Sequence, residues 1–156
     1  RGDIRSFSLD ERCDALLLYE SVIVLVQSHT DSAQYTLETY LDTIGDIQNS
    51  FLRIHENLRE NGKILISVKQ ERTLGVSYKI GEDLSYKVDL TQEVSAGLRR
   101  LHLEHQVERN GRKVASSSVR KTLLPFDQLN EFTTAAGLKE EGFDKTGLFY
   151  IIGMEK

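Results

Sequence analysis

Cysteine occurs once, at Cys13, so no internal disulfide forms and no Cys-x-x-Cys zinc or redox motif exists. At the start of a strand it reads as a small buried filler. No apolar run approaches the ~20 residues that span a bilayer, and no signal peptide is visible. A cytoplasmic protein without a membrane partner is the expectation. Phosphate-cradling glycine loops are missing: neither Gly-x-Gly-x-x-Gly nor Gly-x-x-x-x-Gly-Lys-Ser/Thr is present. Ser21 lacks the Gly-x-Ser-x-Gly elbow of a nucleophilic serine. His102 and His105, three apart on a strand, project to opposite faces and cannot chelate one ion, while His29 near Asp31 reads as a solvated loop residue. Metal is therefore not expected. The net charge of −4 argues against a nucleic-acid partner, and the basic clusters Arg99-Arg100 and Arg109 to Lys113 read as solvated strand edges.

What remains is the pattern of a soluble domain. A chain of 156 residues, 39% hydrophobic, is long enough for one domain with its own core. Residues 14 to 26 are almost continuously apolar apart from Glu20 and Ser21, which suits a strand covered on both faces. Glu20 and Ser21 stand at its carboxyl end, where open α/β sheets bind ligands. Residues 27 to 40 mix loop and cap types, with Leu37 and Leu41 as candidate helix starts. From Thr43, the residues Ile44, Ile47, Phe51, Ile54 and Leu58 recur at three- and four-residue spacing and predict an amphipathic helix. Gly62 is its expected left-handed cap, and Ile64 to Val68 a second apolar strand. Strand, helix, glycine and strand predict a parallel crossover.

Beyond Val68 the pattern turns antiparallel. Gly75 to Ile80 and Leu84 to Leu90 read as strands. Asn110-Gly111 between β-prone segments predicts a two-residue type I′ hairpin. Its register would pair Val107 with Val114, His105 with Ser116, Leu103 with Ser118 and Leu101 with Arg120. Leu101, Leu103, His105 and Val107 would face a core, with Ser116 to Ser118 as pocket floor or plain edge. Pro125-Phe126-Asp127 starts a short helix, with Asp127 as N-cap and Gly137 as its end. Two strands then flank the turn at Lys145 to Gly147.

Several of these segments, taken in order, resemble a known family. They are Gly2-Asp3-Ile4-Arg5-Ser6-Phe7, Cys13-Asp14-Ala15, Glu20-Ser21 and Leu58 to Val68. After them come Pro125 to Leu138 and Gly147 to Gly153. Together they are similar to the second half of a class I S-adenosylmethionine-dependent methyltransferase. Enzymes acting on amino sugars and small amines are the nearest in pattern. Glu60-Asn61-Gly62-Lys63 stands where the family carries Lys-Pro-Gly-Gly, so the glycine is kept and the proline lost.

The resemblance implies an α/β fold: a Rossmann-like methyltransferase sheet lacking its N-terminal strands, with an antiparallel β insertion. Residues 1–72 would be the crossover, 73–124 the insertion and 125–156 the last helix and closing strands. The half carrying the glycine loop would lie before Arg1. The cofactor implied is S-adenosylmethionine. Asp3 would accept the adenine amino group, with the Ile4 amide beside the ring, and Tyr19, Glu20 and Ser21 would line the methionine end. His105 and Arg120, with the Ser116 to Ser118 face, would meet a small-molecule amine or hydroxyl substrate, and the insertion would form a homodimer. No catalytic residue is named, because an activated methyl donor asks for positioning and desolvation more than for a base. A second expectation, from another class, is a non-catalytic α/β module that binds a partner through its unpaired sheet edge.

Overall fold

The computed structural model describes residues 3–20, 22–28, 30–31, 34–71, 77–95 and 97–154. Its elements are β1 (Cys13–Leu18), β2 (Ile23–Gln27), β3 (Tyr35–Thr39), α1 (Ile44–Asn57), β4 (Leu58–Gln70), β5 (Ser77–Lys79), β6 (Leu84–Ser95), β7 (Leu98–Arg109), β8 (Arg112–Pro125), α2 (Asp127–Ala135), β9 (Leu138–Phe143) and β10 (Phe149–Met154). They fall into two units, Arg1–Glu71 with Leu124–Lys156, and Arg72–Leu123. No helix among the described residues is long and apolar enough to cross a membrane.

The first unit is organised on β4. On one edge β4 pairs in parallel with β1 and then with β2; on the other it pairs antiparallel with β10, and β9 follows. The apolar run 14–26 is thus two strands rather than one. It is also not covered on both faces. Ile64, Ile66 and Ile152 are fully buried on one side of the sheet, whereas Leu17 is 57% exposed on the other. Leu17, Leu65 and Ile151 stand in register across β1, β4 and β10 on that second face. The helices account for the difference. Phe126, just before α2, packs edge-on against Tyr150 at 5.3 Å, and Phe132 of α2 stacks on Phe51 of α1 at 6.4 Å. Both helices therefore cover the face that carries Tyr150 and Ile152.

Local sequence explains α1 well. Thr43 caps it: its Oγ1 accepts from the Asp46 amide at 3.0 Å and donates to the Asp46 carboxylate at 2.9 Å. Ile47, Phe51 and Ile54 then form the buried stripe that the spacing predicts. Its end departs from expectation. The helix stops at Asn57, and Leu58 is already extended, so the chain runs directly into β4. Cys13 pairs with Leu58 and Ala15 with Lys63, which leaves three extra residues bulged out of β4. The left-handed residue there is Asn61, at φ 67°, not Gly62. Gly62 is required for a different reason: a Cβ would lie 2.8 Å from the Arg59 carbonyl oxygen and 3.1 Å from Leu58 Cβ.

Residues 27 to 40, read as loop or helix start, instead form a hairpin, with β3 antiparallel to β2. Leu25 and Leu37 face each other in it, both fully buried. α2 differs from expectation at its start, where Phe126 is the N-cap and no side chain caps the helix; Asp127 lies in the first turn. It ends at Gly137, left-handed at φ 71°, as the sequence predicts.

In the second unit β5, β6, β7 and β8 form an antiparallel ladder. Leu101, Leu103 and Leu123 are its buried cluster, with Val88, Leu90 and Val119 packed against them. Asn110 at φ 50° and Gly111 at φ 74° make the expected two-residue turn, closed by the Arg109–Arg112 pair. The register beyond it is displaced by one. A bulge at Val114 sets Val107 opposite Ala115, His105 opposite Ser117, Leu103 opposite Val119 and Leu101 opposite Lys121. A one-residue slip exchanges faces along the whole strand. Arg120 consequently faces His102, on the side opposite to His105.

Candidate functional site

The first candidate group lies in the turn before β1. Asp3 accepts from the Arg5 amide at 3.0 Å and from the Arg5 guanidinium, whose Nε approaches both carboxylate oxygens at 2.9 and 3.0 Å. These hydrogen bonds, reinforced by the guanidinium charge, hold the Asp3 carboxyl down to about 2. Arg5 also reaches Asp46 in the first turn of α1, at 3.7 Å. Further along, the Leu9 amide donates to Asn57 Oδ1 at 2.7 Å in the last turn of α1, and Asn57 Nδ2 donates to the Arg53 carbonyl. Asn57 is buried and spends both ends of its amide. The segment 3–12 thus runs beside α1 from its N-terminus to its C-terminus. Ile4 is half-buried in this turn.

That path fixes which end of the sheet Asp3 occupies. Leu58, at the end of α1, pairs with Cys13 at the start of β1. A 14-residue helix is about 21 Å long. Its N-terminus, with Asp46, Arg5 and Asp3, is therefore displaced toward the carboxyl end of β1, where Tyr19 and Glu20 stand. The carboxyl ends of parallel strands are where open α/β sheets bind ligands.

At that strand end the chain departs from regular geometry. Glu20 has φ 40°, a left-handed conformation unusual for a residue with a side chain. Its amide donates to Ser67 Oγ on β4 at 2.8 Å. The Tyr19 ring, 61% exposed, lies 6.5 Å from the Phe149 ring on β10. The Glu20 side chain is exposed. An open carboxylate beside an exposed aromatic ring suits a ligand carrying hydroxyl or ammonium donors and a flat or apolar part. Ser21 lies outside the described residues. Ser67, 2% exposed, was not among the residues singled out from the sequence. A serine in an apolar strand carries no local signal, and only the pairing of β1 with β4 gives it a partner.

His105 belongs to the second unit. Its Nδ1 meets the Tyr86 hydroxyl, the two rings stack at 5.9 Å, and Tyr78 stacks on Tyr86 at 6.4 Å. Ser117, its cross-strand neighbour, and the whole of Ser116 to Ser118 are exposed. Arg120 is turned to the other face and does not join His105. Among the described residues no group of three or more His, Cys, Asp or Glu is placed to hold a metal ion.

A cleft of about 700 Å³ lies elsewhere, lined by Asn130 and Thr134 of α2, Glu140 and Glu141 of β9, and Met154 of β10. None of the residues above lines it. Tyr150 donates to Glu140 there at 2.6 Å, and its burial, with that bond, pushes the phenol well above its ordinary range.

No family model and no curated protein matches the sequence. Solved structures do match the fold. DesVI of Streptomyces venezuelae aligns with 100% of this chain and 64% of its own, at 17% identity and a TM-score of 0.60. CalS10 from Micromonospora echinaspora, an amino pentose methyltransferase solved with SAM bound, aligns with 97% of this chain and 62% of its own, at 15% identity and 0.60. The sugar N-methyltransferase KedS8 from Streptoalloteichus aligns with 99% and 61%, at 14% identity and 0.60. The chain spans less than two thirds of the length of each. At these identities the likeness is one of fold.

Proposed function

We propose that this chain, whose fold is that of class I S-adenosylmethionine-dependent methyltransferases, is the carboxyl-terminal part of an enzyme that methylates a small molecule at an amine or hydroxyl. The observation that carries the reading is positional. The acid turn at Asp3 and the distorted strand end at Tyr19-Glu20 lie toward the same end of one mixed sheet, the carboxyl end of its parallel strands β1 and β4, where open α/β sheets bind ligands. A fold match over the whole chain supports it. Amino-sugar acceptors are the first class to try, because CalS10 and KedS8 are described as amino pentose and sugar N-methyltransferases.

In this reading Asp3 and the Ile4 backbone hold the adenine, and Tyr19, Glu20 and Ser21 hold the methionine end of the cofactor. Asp3 already has its two oxygens turned to Arg5, so Arg5 fixes the carboxylate and leaves only its remaining acceptor directions to a ligand. Bound S-adenosylmethionine supplies a methyl group on a sulfonium, an activated leaving group. The chain's own task is to align the acceptor with that methyl and keep water away. His105, on the apolar face of the insertion, is the substrate-side candidate, and a proton acceptor is needed only for an acceptor that arrives as ammonium. The insertion would also carry a homodimer contact. The partial sheet belongs to this reading: β1 has β4 as its only strand partner among the described residues, and Leu17 is open. A further strand and glycine loop of the parent protein would pair along that edge.

Calorimetry with S-adenosylhomocysteine tests the proposal. The full natural polypeptide should bind with micromolar affinity, and these 156 residues alone far more weakly. Submicromolar binding by the 156 residues alone, or none by the full polypeptide, overturns it. The open β1 edge favours one competing reading, a non-catalytic module that binds a protein strand there. Coding sequence upstream of Arg1 separates the two, since a strand and glycine-rich loop there belong only to the enzyme.

A further inference from the structure

Resting on that reading, the geometry points to Ser67 as a positioning residue that sets the conformation of Glu20. Between the Leu18–Ile66 and Leu25–Val68 pairs, one edge of β4 advances two residues while its partner advances seven. The chain therefore leaves the edge of β4 after Leu18 and regains it only at Leu25, and Ser67 is the one β4 residue that faces the gap. Ser67 is itself immobilised, paired with Phe149 on its other edge and 2% exposed. Its Oγ accepts the Glu20 amide at 2.8 Å. Without that acceptor the amide would lose its only hydrogen bond within the described part of the unit.

The conformation held in this way is a costly one for glutamate. A loop needing only a left-handed residue is better served by glycine or asparagine, as this chain does at Gly137, Gly147, Asn61 and Asn110. Glutamate brings nothing to the backbone at φ 40°. What it brings is a carboxylate, exposed at the carboxyl end of a parallel strand. Strained backbone of this kind persists where the surroundings over-determine it and the side chain has a use. Ser67 is the over-determining contact: a buried, fixed hydroxyl that converts the rigidity of β4 into a fixed direction for the carboxylate. It touches no substrate and acts only through residue 20.

The test compares Ser67→Ala and Ser67→Thr in the full natural polypeptide, reading Glu20 amide exchange and affinity for S-adenosylhomocysteine. A hydrogen bond of this kind is worth roughly 0.5–1.5 kcal/mol, or about a two- to tenfold effect. Ser67→Ala should speed exchange at Glu20 and weaken S-adenosylhomocysteine by that factor, and Ser67→Thr, which keeps the hydroxyl, should restore both. Unchanged exchange in Ser67→Ala removes the hydrogen bond as the holding contact and overturns the inference. Faster exchange with unchanged affinity reduces Ser67 to a structural cap and overturns it equally. Failure of the unmutated polypeptide to bind S-adenosylhomocysteine overturns the functional reading, and is distinguishable because Glu20 exchange still responds to Ser67→Ala. Glu20→Gly guards against a folding artefact: it relieves the backbone, so a variant that folds normally but loses affinity supports the use of the carboxylate.

Discussion

Asn61-Gly62 and Asn110-Gly111 are the same dipeptide in two settings, and the glycine is needed for opposite reasons. In the hairpin of the second unit Asn110 and Gly111 are both left-handed, and a Cβ on Gly111 would meet nothing within 4 Å. There glycine is chosen by conformation alone. In the bulge near the start of β4 only Asn61 is left-handed, and Gly62 is required because the Arg59 carbonyl lies where a Cβ would go. There glycine is chosen by packing. The first requirement is local and visible in a dipeptide. The second comes from a bulge whose depth is set by the pairing of β4 with β1.

Substitution at the two glycines separates these causes. Gly62→Ala forces a backbone oxygen aside next to buried Leu58, an overpacking defect that should cost about 2–3 kcal/mol in urea unfolding. Gly111→Ala meets no atom and adds only the left-handed penalty, about 1 kcal/mol. Equal costs at the two sites would break the distinction. The smallest expected effect is at Asp3, whose turn is closed by Arg5 two residues away and belongs with the hairpin as a local device. Its carboxyl lies below the ordinary 3.8 when folded, at about 2. A depressed folded value means that its contribution is present above the unfolded value and lost as pH falls through about 2. An NMR titration of Asp3 should therefore show a midpoint near 2, moving up toward 3.8 in Arg5→Gln. Because both groups are largely exposed, global stability should hardly change. A midpoint already near 3.8 in the unmutated chain would mean that the Asp3 turn does not form in solution.

The same division runs through the rest of the molecule. The stripe Ile47, Phe51, Ile54 and the Thr43 cap are readable because a helix repeats within its own sequence. So are the Asn110-Gly111 turn and the Gly137 stop. Tyr35 to Thr39 was not readable as a strand. Its face alternates weakly, and its burial comes from β2 and from the Phe126 and Phe143 rings, which pack on Tyr35. Arg120 was misplaced for another reason. The turn was right, but a single extra residue at Val114 rotated the strand beyond it by half a period.

From the sequence alone came the α/β class, α1 with its start, the hairpin turn, and the acid turn and strand end as candidate contacts. The helix and the hairpin turn rest on residues close together in the chain, whose periodicity or turn chemistry needs no partner, whereas the candidate contacts came with the family resemblance. Tertiary structure alone decided where those pieces meet. It split the apolar run 14–26 in two, placed Asp3 at the carboxyl end of β1 by laying residues 3–12 along α1, and gave Glu20 its left-handed backbone through Ser67. Ser67 and Glu20 are 47 positions apart in the chain. A hydrogen bond across that separation exists only because parallel pairing puts β4 beside β1, and no local pattern in either strand encodes it.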